Sequence, residues 1–463
     1  MSEPIISVSG LRGIVGESLN PQIVGNYALA FSTAAPPGPF VITRDSRPSG
    51  SVLADAIHAA LNSVGRPTVD AQITATPTTG VLIRQLCAAG GIQISASHNP
   101  IEYNGMKLFS SEGRVVPKNI GQQVLERYRN DEAAWMTHDR LGSRVVCKNT
   151  TSQHIASVVR TIDSDAIRGC KFRVLLDANH GAGALLGERL LDDFDCNVTV
   201  LGSIPNGRFE HLPEPTAENL RTVGEKVREY GVDVAFCQDP DADRLALIDG
   251  NGRYIGEEYT LAICLEHILR TATMGNHPFP RTRGPVVINC ASSRMNEDIA
   301  KKYGVPLFRS AVGEANVVDL MLEKNAMFGG EGNGGPIDPE VGLVRDSFVG
   351  IAQVLDAMAA RNKTLSELVD EIPRYAMIKR KTTVALNSVP AMIDHVATVF
   401  RRLPCDRLDG LRIDHGDAWV LLRGSNTEPI VRIFAEAPTE DRAGELCDEV
   451  ERAIAESTDT RAP

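Results

Sequence analysis

The sequence predicts an α/β protein with three similar α/β domains, whose sheets are mixed and mainly parallel, and a smaller C-terminal α+β domain. Strand-like and helix-like segments alternate along most of the 463 residues, and this alternation is typical of parallel sheets with helices on their faces. It restarts near residues 155 and 259, and the residues after 373 follow a different order. We therefore predict four domains, at residues 1–154, 155–257, 258–373 and 374–463.

The first domain is predicted from strands and helices that alternate before residue 95. Residues 40–43 form an apolar run, and residues 51–64 place apolar side chains at helical spacing. A second helix is expected at Pro77, because proline is favoured in the first turn of a helix. The strand at 91–94 then leads into a polar turn. This βαβαβ order indicates a mainly parallel sheet.

The second and third domains repeat the alternation. In the second, strands are predicted at 172–176 and 232–237, and helices after residue 183 and at 217–230. In the third, helices are predicted at 259–269, 294–303 and 314–324, and strands at 286–289 and 306–309. Residues 273–284 are rich in proline, glycine, arginine and threonine, so we expect an exposed loop there.

The fourth domain combines an antiparallel sheet with helices on one face. We predict its strands at 381–386 and around Leu411, Trp419 and Val431, and its helices at 390–403 and 442–456. Pro373 is expected to end the preceding helix and to form part of a hinge.

The composition argues against several classes of partner. The net charge of −11 gives no general surface for nucleic acid or for an anionic membrane, so an anionic substrate would need local arginine and lysine residues. No apolar run approaches the roughly 20 residues of a membrane span. The N-terminus has no signal-peptide pattern. We therefore expect a cytoplasmic protein with no nucleic-acid and no membrane partner.

The nine cysteines contain no CxxC pair and are expected to be reduced thiols. Five of them lie in or beside apolar segments and are predicted to be buried: Cys87, Cys170, Cys237, Cys264 and Cys290.

The turn at 95–100, with sequence Ser-Ala-Ser-His-Asn-Pro, is the most informative motif of the chain. It follows a predicted strand and precedes Lys107. A serine hydroxyl on a turn with a lysine nearby suits a residue that carries a phosphoryl group, because the lysine can neutralise developing phosphate charge. Serine, asparagine and proline are also common turn residues, so a polar turn without chemistry is the alternative.

The loop 239–244 places Asp239, Asp241 and Asp243 at alternate positions between apolar strands. Three carboxylates so close together favour a divalent cation, and oxygen ligands are the kind that Mg²⁺ prefers. An EF-hand does not fit, because Arg244 and Gly250 stand where that motif needs glycine and glutamate. A solvated acidic turn is the alternative.

Three further segments carry weaker signals. Residues 423–429 combine Arg423 with two hydroxyls and turn amides that can surround a phosphate, although a plain hairpin loop is the alternative. The glycine-rich run 329–335 offers Glu331 and Asn333 to vicinal hydroxyls. The run 9–16 and residues 44–47 contain arginines that surface ion pairs would also explain.

Together these motifs resemble the α-D-phosphohexomutase family, and the resemblance covers nearly the whole chain. It implies four domains arranged around a central cleft, a phosphorylated Ser97, and Mg²⁺ held by the phosphoserine with the three aspartates. It also implies basic residues beside the transferring phosphoryl group, which are Arg12, Lys107 and Arg244. Either His98 or Lys107 would move the proton.

The same resemblance assigns two groups of substrate-binding residues. Glu331 and Asn333 would bind sugar hydroxyls. The phosphate that is not reacting would be bound by Arg423, Ser425, Asn426, Thr427 and Arg432.

The sugar-binding run departs from many family members, because Gly335 stands where a histidine is common. The variant is similar to the archaeal-type phosphoglucosamine mutase branch. We therefore expect a phosphoglucosamine mutase that moves a phosphoryl group reversibly between the 1- and 6-positions of a hexose phosphate, with a hexose 1,6-bisphosphate as activator. A phosphomannomutase or phosphoglucomutase and a non-catalytic sugar-phosphate-binding relative are the alternatives. We expect a monomer or a homodimer.

Overall fold

A computed structural model describes residues 3–7, 9–130, 134–275, 277–424 and 430–459, and these residues form four sheets. The first three sheets mix parallel and antiparallel pairs, and the fourth is antiparallel. The predicted fold class is therefore confirmed.

The first sheet has seven strands. They are β1 (Ile5–Ser7), β2 (Gly10–Ile14), β3 (Phe40–Arg44), β4 (Thr68–Ile73), β5 (Gly90–Ile94), β6 (Tyr103–Ser110) and β7 (Arg144–Val146). The helices of this part are α1 (Pro21–Ala34), α2 (Gly50–Ser63), α3 (Thr76–Gln85) and α4 (Lys118–Asn130). The spatial order β1-β2-β6-β5-β3-β4-β7 places β5 centrally, so the turn after its carboxyl end opens in the middle of the sheet edge.

The second sheet has four strands in the order β11-β10-β8-β9. Its elements are α5 (Ser152–Val159), α6 (Ser164–Cys170), β8 (Arg173–Asp177), α7 (Ala184–Asp193), β9 (Asn197–Leu201), α8 (Arg221–Tyr230), β10 (Val234–Gln238) and β11 (Leu245–Asp249). β10 pairs in parallel with β8 and antiparallel with β11, so the loop between β10 and β11 turns at the carboxyl end of β10.

The third sheet has the order β13-β12-β14-β15. Its elements are α9 (Glu257–Met274), β12 (Val286–Asn289), α10 (Met295–Lys302), β13 (Leu307–Ser310), α11 (Glu314–Lys324), β14 (Phe328–Glu331), β15 (Gly335–Ile337), α12 (Ser347–Arg361) and α13 (Leu365–Asp370). One continuous apolar core includes Leu176 and Phe236 of the second sheet with Leu261 and Phe348 of the third part. This shared core fixes the two sheets relative to each other.

The fourth sheet is antiparallel, in the order β16-β20-β19-β18-β17. Its elements are β16 (Ala376–Thr383), α14 (Val389–Val399), β17 (Cys405–Asp406), β18 (Leu411–Asp414), β19 (Trp419–Gly424), β20 (Ile430–Ala437) and α15 (Glu440–Asp459). Trp419 and Leu421 pack against Cys290 of the third part, and Arg412 Nη1 donates a 2.6 Å hydrogen bond to the Cys290 carbonyl. The fourth sheet is therefore docked on the third part.

Several element predictions were wrong in their limits. The strand predicted at 381–386 is β16 at Ala376–Thr383, which pairs with β20 along its length at the sheet edge and has no apolar run to mark it. The helix predicted at 217–230 begins at Arg221, because Asn219 Nδ2 donates to the Glu214 carbonyl and holds a turn before it. The helix predicted at 259–269 is α9, which begins earlier and ends later, at Glu257–Met274.

The prediction for the cysteines was partly wrong. Cys237, Cys264 and Cys290 are buried, whereas Cys87 and Cys170 are exposed. In the described part of the chain, we find no helix that is both long enough and apolar enough to span a membrane.

Candidate active site

Ser97 lies on the turn after β5 in a conformation that is rare for serine. Its φ is 49°, in the left-handed region, and only 2% of the residue is exposed. Ser95 Oγ accepts a 2.8 Å hydrogen bond from the Ser97 N–H and donates a 2.7 Å bond to Asp45 Oδ2. Left-handed backbone at a non-glycine residue is strained, and such strain occurs often at functional sites.

Arg47 fixes the backbone of this turn through hydrogen bonds. Its guanidinium donates to the carbonyl oxygens of Ser97 at 2.8 Å, of Asn99 at 2.6 Å and of Tyr103 at 3.0 Å, and its Nε lies 3.1 Å from Asp45 Oδ2. Both side chains of this ion pair are fully buried, so the interpretation of residues 44–47 as a possible surface pair was wrong. Arg47 fixes the backbone on which Ser97 stands.

The three aspartates of the 239–244 loop lie next to Ser97. Asp239, Asp241 and Asp243 are all fully buried, and one oxygen of each lies within 4.8 Å of the others. Asp239 Oδ1 accepts hydrogen bonds of 3.2 Å from the N–H groups of Asp243 and Arg244. Ser97 Oγ donates a 2.7 Å hydrogen bond to Asp239 Oδ2, so the first and second sheets supply one site.

Lys107 completes the contact between the two sheets. Its Nζ donates to Asp241 Oδ2 at 2.6 Å and to Asp243 Oδ2 at 2.7 Å. Burial would lower the pKa of Lys107, but the two carboxylate charges outweigh burial and raise it. Burial would likewise raise the pKa of Asp241, but Lys107 and the Thr76 hydroxyl, whose Oγ1 lies 2.5 Å from Asp241 Oδ2, lower it. Lys107 therefore keeps Asp241 ionised.

The remaining carboxylate oxygens fit a divalent cation. Among the described residues, Oδ1 of Asp241 and Oδ1 of Asp243 are buried and have no hydrogen-bond partner. Burial and the neighbouring carboxylates raise the pKa of Asp239 well above its usual value. Unpartnered buried carboxylate oxygens are costly unless a cation binds them. These residues can hold a hard cation such as Mg²⁺ through oxygen ligands alone.

The other basic residues predicted for the site lie around the Ser97 turn. Arg12 Nη1 donates a 2.7 Å hydrogen bond to Asn99 Oδ1, and burial lowers the pKa of Arg12. Arg244 Nε lies 4.0 Å from Asp243 Oδ1. His98 Nδ1 is 3.4 Å from Ser97 Oγ. Burial, together with the nearby Arg244 and Arg12 charges, lowers the pKa of His98 to about 2, so the imidazole is neutral.

Arg345 connects the aspartate loop to the glycine-rich run, and sequence reasoning missed it. Its Nη2 donates to Asp243 Oδ2 at 2.6 Å and its Nη1 donates to Glu331 Oε2 at 2.8 Å. Its Nε lies 3.5 Å from Glu314 Oε2. Burial would lower the pKa of Arg345, but the surrounding carboxylates raise it. One arginine therefore binds carboxylates from the aspartate loop, the end of β14 and the start of α11.

The glycine-rich run is shaped by its neighbours. Glu331 Oε1 accepts hydrogen bonds from Asn289 Nδ2 at 2.7 Å and from the Gly313 N–H at 2.9 Å. A Cβ at Gly332 would lie 2.1 Å from Glu258 Oε2, so a larger residue there would displace the Glu258 carboxylate. Asn333 Oδ1 is buried and has no hydrogen-bond partner within the described ranges. Glu331 is held in place, whereas Asn333 still offers an acceptor.

Glu258, at the start of α9, is a second residue that the sequence analysis did not single out. Its Oε2 accepts a 3.0 Å hydrogen bond from the Ser293 N–H beside the glycine-rich run. Burial raises the pKa of Glu258 to about 8, and the charge of Lys379 on β16 partly offsets this. Glu258 could be recognised only from the structure, because it lies close to Gly332 in space and far from it in the sequence.

Arg423, at the end of β19, lies on the side of the fourth sheet that faces the third. Its Nε is 2.7 Å from Asp409 Oδ2, which also accepts a 2.9 Å hydrogen bond from the Val312 N–H. Arg432 is the cross-strand partner of Arg423 on β20. Ser425, Asn426 and Thr427 lie outside the described residues.

Profiles of one family match four consecutive parts of the chain. The family is described as phosphoglucomutase/phosphomannomutase, with alpha/beta/alpha domain I at residues 5–135, domain II at 152–252, domain III at 257–375 and the C-terminal domain at 373–453.

Relatives and solved structures agree with this match. A "Phosphoglucomutase/phosphomannomutase" from Thermococcus kodakarensis is 35% identical over 447 residues, which are 94% of this chain and 95% of the relative. A "Probable phosphoglucosamine mutase" from Methanopyrus kandleri is 30% identical over 444 residues, covering 95% of each chain. A crystal structure of a phosphoglucomutase/phosphomannomutase family protein from Burkholderia thailandensis has a TM-score of 0.83 at 23% identity and covers 98% of both chains, which shows the shared fold.

Proposed function

The chain belongs to the phosphoglucomutase/phosphomannomutase family and is a phosphohexomutase, and we propose that Ser97 carries the phosphoryl group that moves between the 1- and 6-positions of a hexose phosphate. One observation carries this assignment. Ser97 Oγ lies 2.7 Å from Asp239 Oδ2, at a cluster of carboxylates that also contacts Lys107. A hydroxyl nucleophile, a cation and cation-binding oxygens at one point are what phosphoryl transfer requires.

In the proposed reaction, a free hydroxyl of the sugar attacks the phosphorus of phosphoserine 97. The bond between Ser97 Oγ and phosphorus breaks, and a bond between the sugar oxygen and phosphorus forms. The proton of the sugar hydroxyl passes to a nearby base, and the departing Ser97 Oγ takes up a proton. The product is a hexose 1,6-bisphosphate, which reorients in the site and returns its other phosphoryl group to Ser97. His98 is the candidate for the base, because it is neutral and its Nδ1 lies 3.4 Å from Ser97 Oγ. Lys107 has a raised pKa and is protonated, so it is the candidate for the acid that gives a proton to Ser97 Oγ.

Asp239, Asp241 and Asp243 would hold Mg²⁺ together with the phosphoserine. When bound there, the ion would supply positive charge to the transferring phosphoryl group. Lys107 and Arg244, which lie against the same carboxylates, add positive charge from the protein. Arg12 and Arg47 hold the Ser97 turn through Asn99 and the backbone carbonyls.

Sugar and phosphate recognition would come from the third and fourth parts of the chain. Glu331 and Asn333 would bind hydroxyls, and Arg423 and Arg432, with the 425–427 segment, would bind the phosphate that is not reacting. The contacts of Asp409 support a common role for the two parts. Asp409 Oδ2 accepts hydrogen bonds from Arg423 Nε and from the Val312 N–H. The neighbouring Gly313 N–H donates to Glu331 Oε1. Movement of the fourth domain would close the cleft and exclude water, which competes for the phosphoserine.

We propose glucosamine phosphate as the preferred substrate, with mannose or glucose phosphate as the alternative. The glycine-rich run with Gly335 supports glucosamine phosphate, as does the name of the Methanopyrus relative. The Thermococcus relative supports the alternative. Turnover rates on glucosamine, glucose and mannose phosphates, measured with the matching 1,6-bisphosphate as activator, decide between them. A rate on glucosamine phosphate no higher than the other two would overturn the preference.

The same proposal assigns the four domains to residues 1–154, 155–257, 258–373 and 374–463, with one functional loop in each. All nine cysteines are free, and this supports the reducing cytoplasm as the location of the enzyme. A monomer or a homodimer satisfies the site, because this chain supplies every residue named above.

A further inference from the structure

His267, His277 and Asp356 form a cluster that the mutase reaction does not use. Nε2 of His267 lies 2.9 Å, and Nε2 of His277 lies 3.1 Å, from the same oxygen, Asp356 Oδ2. His267 is 1% exposed and Asp356 is fully buried. The side chain of His277 is 8% exposed. Two imidazole nitrogens and one carboxylate thus converge on one point.

This point is separate from the active site. α9 begins at Glu257 and α12 begins at Ser347, and both starts adjoin residues of the candidate active site. His267 and Asp356 lie about ten residues farther along these helices, and this corresponds to about 15 Å at the rise of an α-helix. His277 lies on the loop that follows α9.

We propose that His267, His277 and Asp356 bind a divalent transition-metal ion, with Zn²⁺ as the natural occupant. Imidazole nitrogen with one carboxylate is a donor set that suits Zn²⁺, whereas Mg²⁺ prefers oxygen. Two ligands at about 2.0 Å from a tetrahedral ion lie about 3.3 Å apart, and the two N···O distances of 2.9 and 3.1 Å are close to that spacing. With three protein ligands, the fourth position of a tetrahedral ion is left to water.

Two further features of the cluster point to a ligand. Within the described residues, Asp356 Oδ1 and His267 Nδ1 are buried and have no hydrogen-bond partner, so hydrogen bonding alone leaves the cluster incomplete. His277 Nδ1 lies 3.2 Å from the carbonyl oxygen of Phe279 and 3.2 Å from its backbone nitrogen. In the tautomer with a proton on Nδ1, His277 donates to the carbonyl, as metal-binding histidines commonly do, and Nε2 is free for the ion.

The ion would tie the loop that carries His277 to α9 and α12. The Asp163 N–H also donates a 3.3 Å hydrogen bond to Asp356 Oδ2, so the second sheet's part of the chain contacts the same carboxylate. Binding to the folded state alone would raise the melting temperature.

The test uses the full-length protein, freed of metal with a chelator and then saturated with Mg²⁺ to fill the aspartate site. We expect it to bind about one further equivalent of Zn²⁺ per chain, and to give intense visible absorption with Co²⁺, as four-coordinate sites with imidazole ligands do. His277→Ala and His267→Gln should weaken this binding more than tenfold and abolish the Zn²⁺-dependent rise in melting temperature. His138→Ala, a change at an exposed histidine, should leave both unchanged.

Mutase turnover with Mg²⁺ shows whether a variant is folded and whether the reaction depends on the proposed Zn²⁺ site. His277→Ala should keep its turnover, whereas Asp241→Asn should lose turnover and keep the Zn²⁺ equivalent. Equal Zn²⁺ stoichiometry in wild type, His277→Ala and His267→Gln would overturn the proposal. Absence of Zn²⁺ binding by the Mg²⁺-saturated wild type would overturn it as well, and would leave a hydrogen-bonded cluster only.

Discussion

Ser97 Oγ donates a 2.7 Å hydrogen bond to Asp239 Oδ2, although the two residues are 142 positions apart in the chain. Ser97 follows a strand of the first sheet, and Asp239 follows a strand of the second. Neither sheet alone contains the carrier and the cation-binding oxygens together. The reaction therefore depends on how the first two sheets are held against each other, as well as on the two loops.

Replacing Ser97 with alanine should abolish mutase turnover and leave the fold intact, because the group that carries the phosphoryl is lost. Mass spectrometry of the intact wild-type protein should show one added phosphoryl group on part of the sample, and the alanine variant should show none. Full turnover of Ser97→Ala would refute the role of Ser97.

Ser95→Ala is the matched control for this change. Ser95 Oγ accepts from the Ser97 N–H and donates to Asp45, so its loss loosens the turn without removing the carrier. We expect reduced turnover, with phosphorylation of Ser97 still detectable.

Replacing Asp241 with asparagine should weaken Mg²⁺ binding by about tenfold or more, or roughly 1.4 kcal/mol, because the cation loses one of three anionic ligands. Calorimetric titration of Mg²⁺ without substrate measures this loss directly. Asp249→Asn is the control, since Asp249 is also buried but lies at the other end of β11. Equal Mg²⁺ affinity in both variants would show that the aspartate cluster is a structural turn and does not bind the cation.

Replacing Arg345 with methionine should destabilise the protein by about 3–5 kcal/mol, because Asp243, Glu331 and Glu314 lose a buried counter-charge. It should also lower kcat/KM more than tenfold, since the aspartate loop and the glycine-rich run lose their connection. Urea unfolding and steady-state kinetics measure the two effects.

Arg114→Met is the matched control for Arg345→Met. Arg114 is also 8% exposed, and it pairs with Glu112 and Asp319 instead of residues of the site. It should lose stability and keep its kcat/KM. If Arg345→Met behaved in the same way, Arg345 would be structural only.

Local patterns predicted the parts of the site that are contiguous in sequence. The Ser97 turn and the aspartate loop carry their chemistry within six residues each, so both were found without the structure. Arg345 is a single arginine whose partners are set by tertiary contacts, and no spacing indicates it. Residues 44–47 gave only a weak signal, because the carbonyl groups that Arg47 binds belong to a turn about fifty residues away. β16 was misplaced for a related reason, because pairing with β20 determines its limits.

Acidification should destabilise the first part of the chain through His58. This residue is 2% exposed, and its Nδ1 lies 2.8 Å from Thr68 Oγ1. Burial, together with the charge of Arg144, lowers the pKa of His58 from 6.5 to about 4. Between these pH values the unfolded chain binds a proton that the folded protein does not, so stability falls as the pH falls. From pH 7 to pH 5 the loss should be about 2 kcal/mol.

The His58 contribution is isolated by comparing wild type with His58→Gln. The nearby carboxylates Asp70 and Asp55 raise the pKa of His58 and partly offset the effects of burial and of Arg144. The free energy of unfolding, measured at both pH values, should fall about 2 kcal/mol less in the variant, because glutamine binds no proton. An equal fall in both proteins would show that folding does not lower the pKa of His58.

The last prediction concerns Arg423, whose Nε is 2.7 Å from Asp409 Oδ2. A phosphate that does not react is bound in both the ground state and the transition state, and its binding also closes the cleft. Arg423→Ala should therefore raise KM and lower kcat, with a combined loss of very roughly 2–4 kcal/mol in kcat/KM. Steady-state kinetics on a hexose phosphate measure both constants.

Asp409→Asn distinguishes binding of phosphate from positioning of the fourth domain. Asp409 Oδ2 accepts from both Arg423 and the Val312 N–H, so this variant weakens the docking contact while the guanidinium remains. It should lower kcat/KM less than Arg423→Ala does. Mg²⁺ affinity and phosphorylation of Ser97 should be unchanged in both, because those groups lie on the first two sheets. Normal KM and kcat for Arg423→Ala would show that Arg423 only ties the fourth sheet to the third through Asp409.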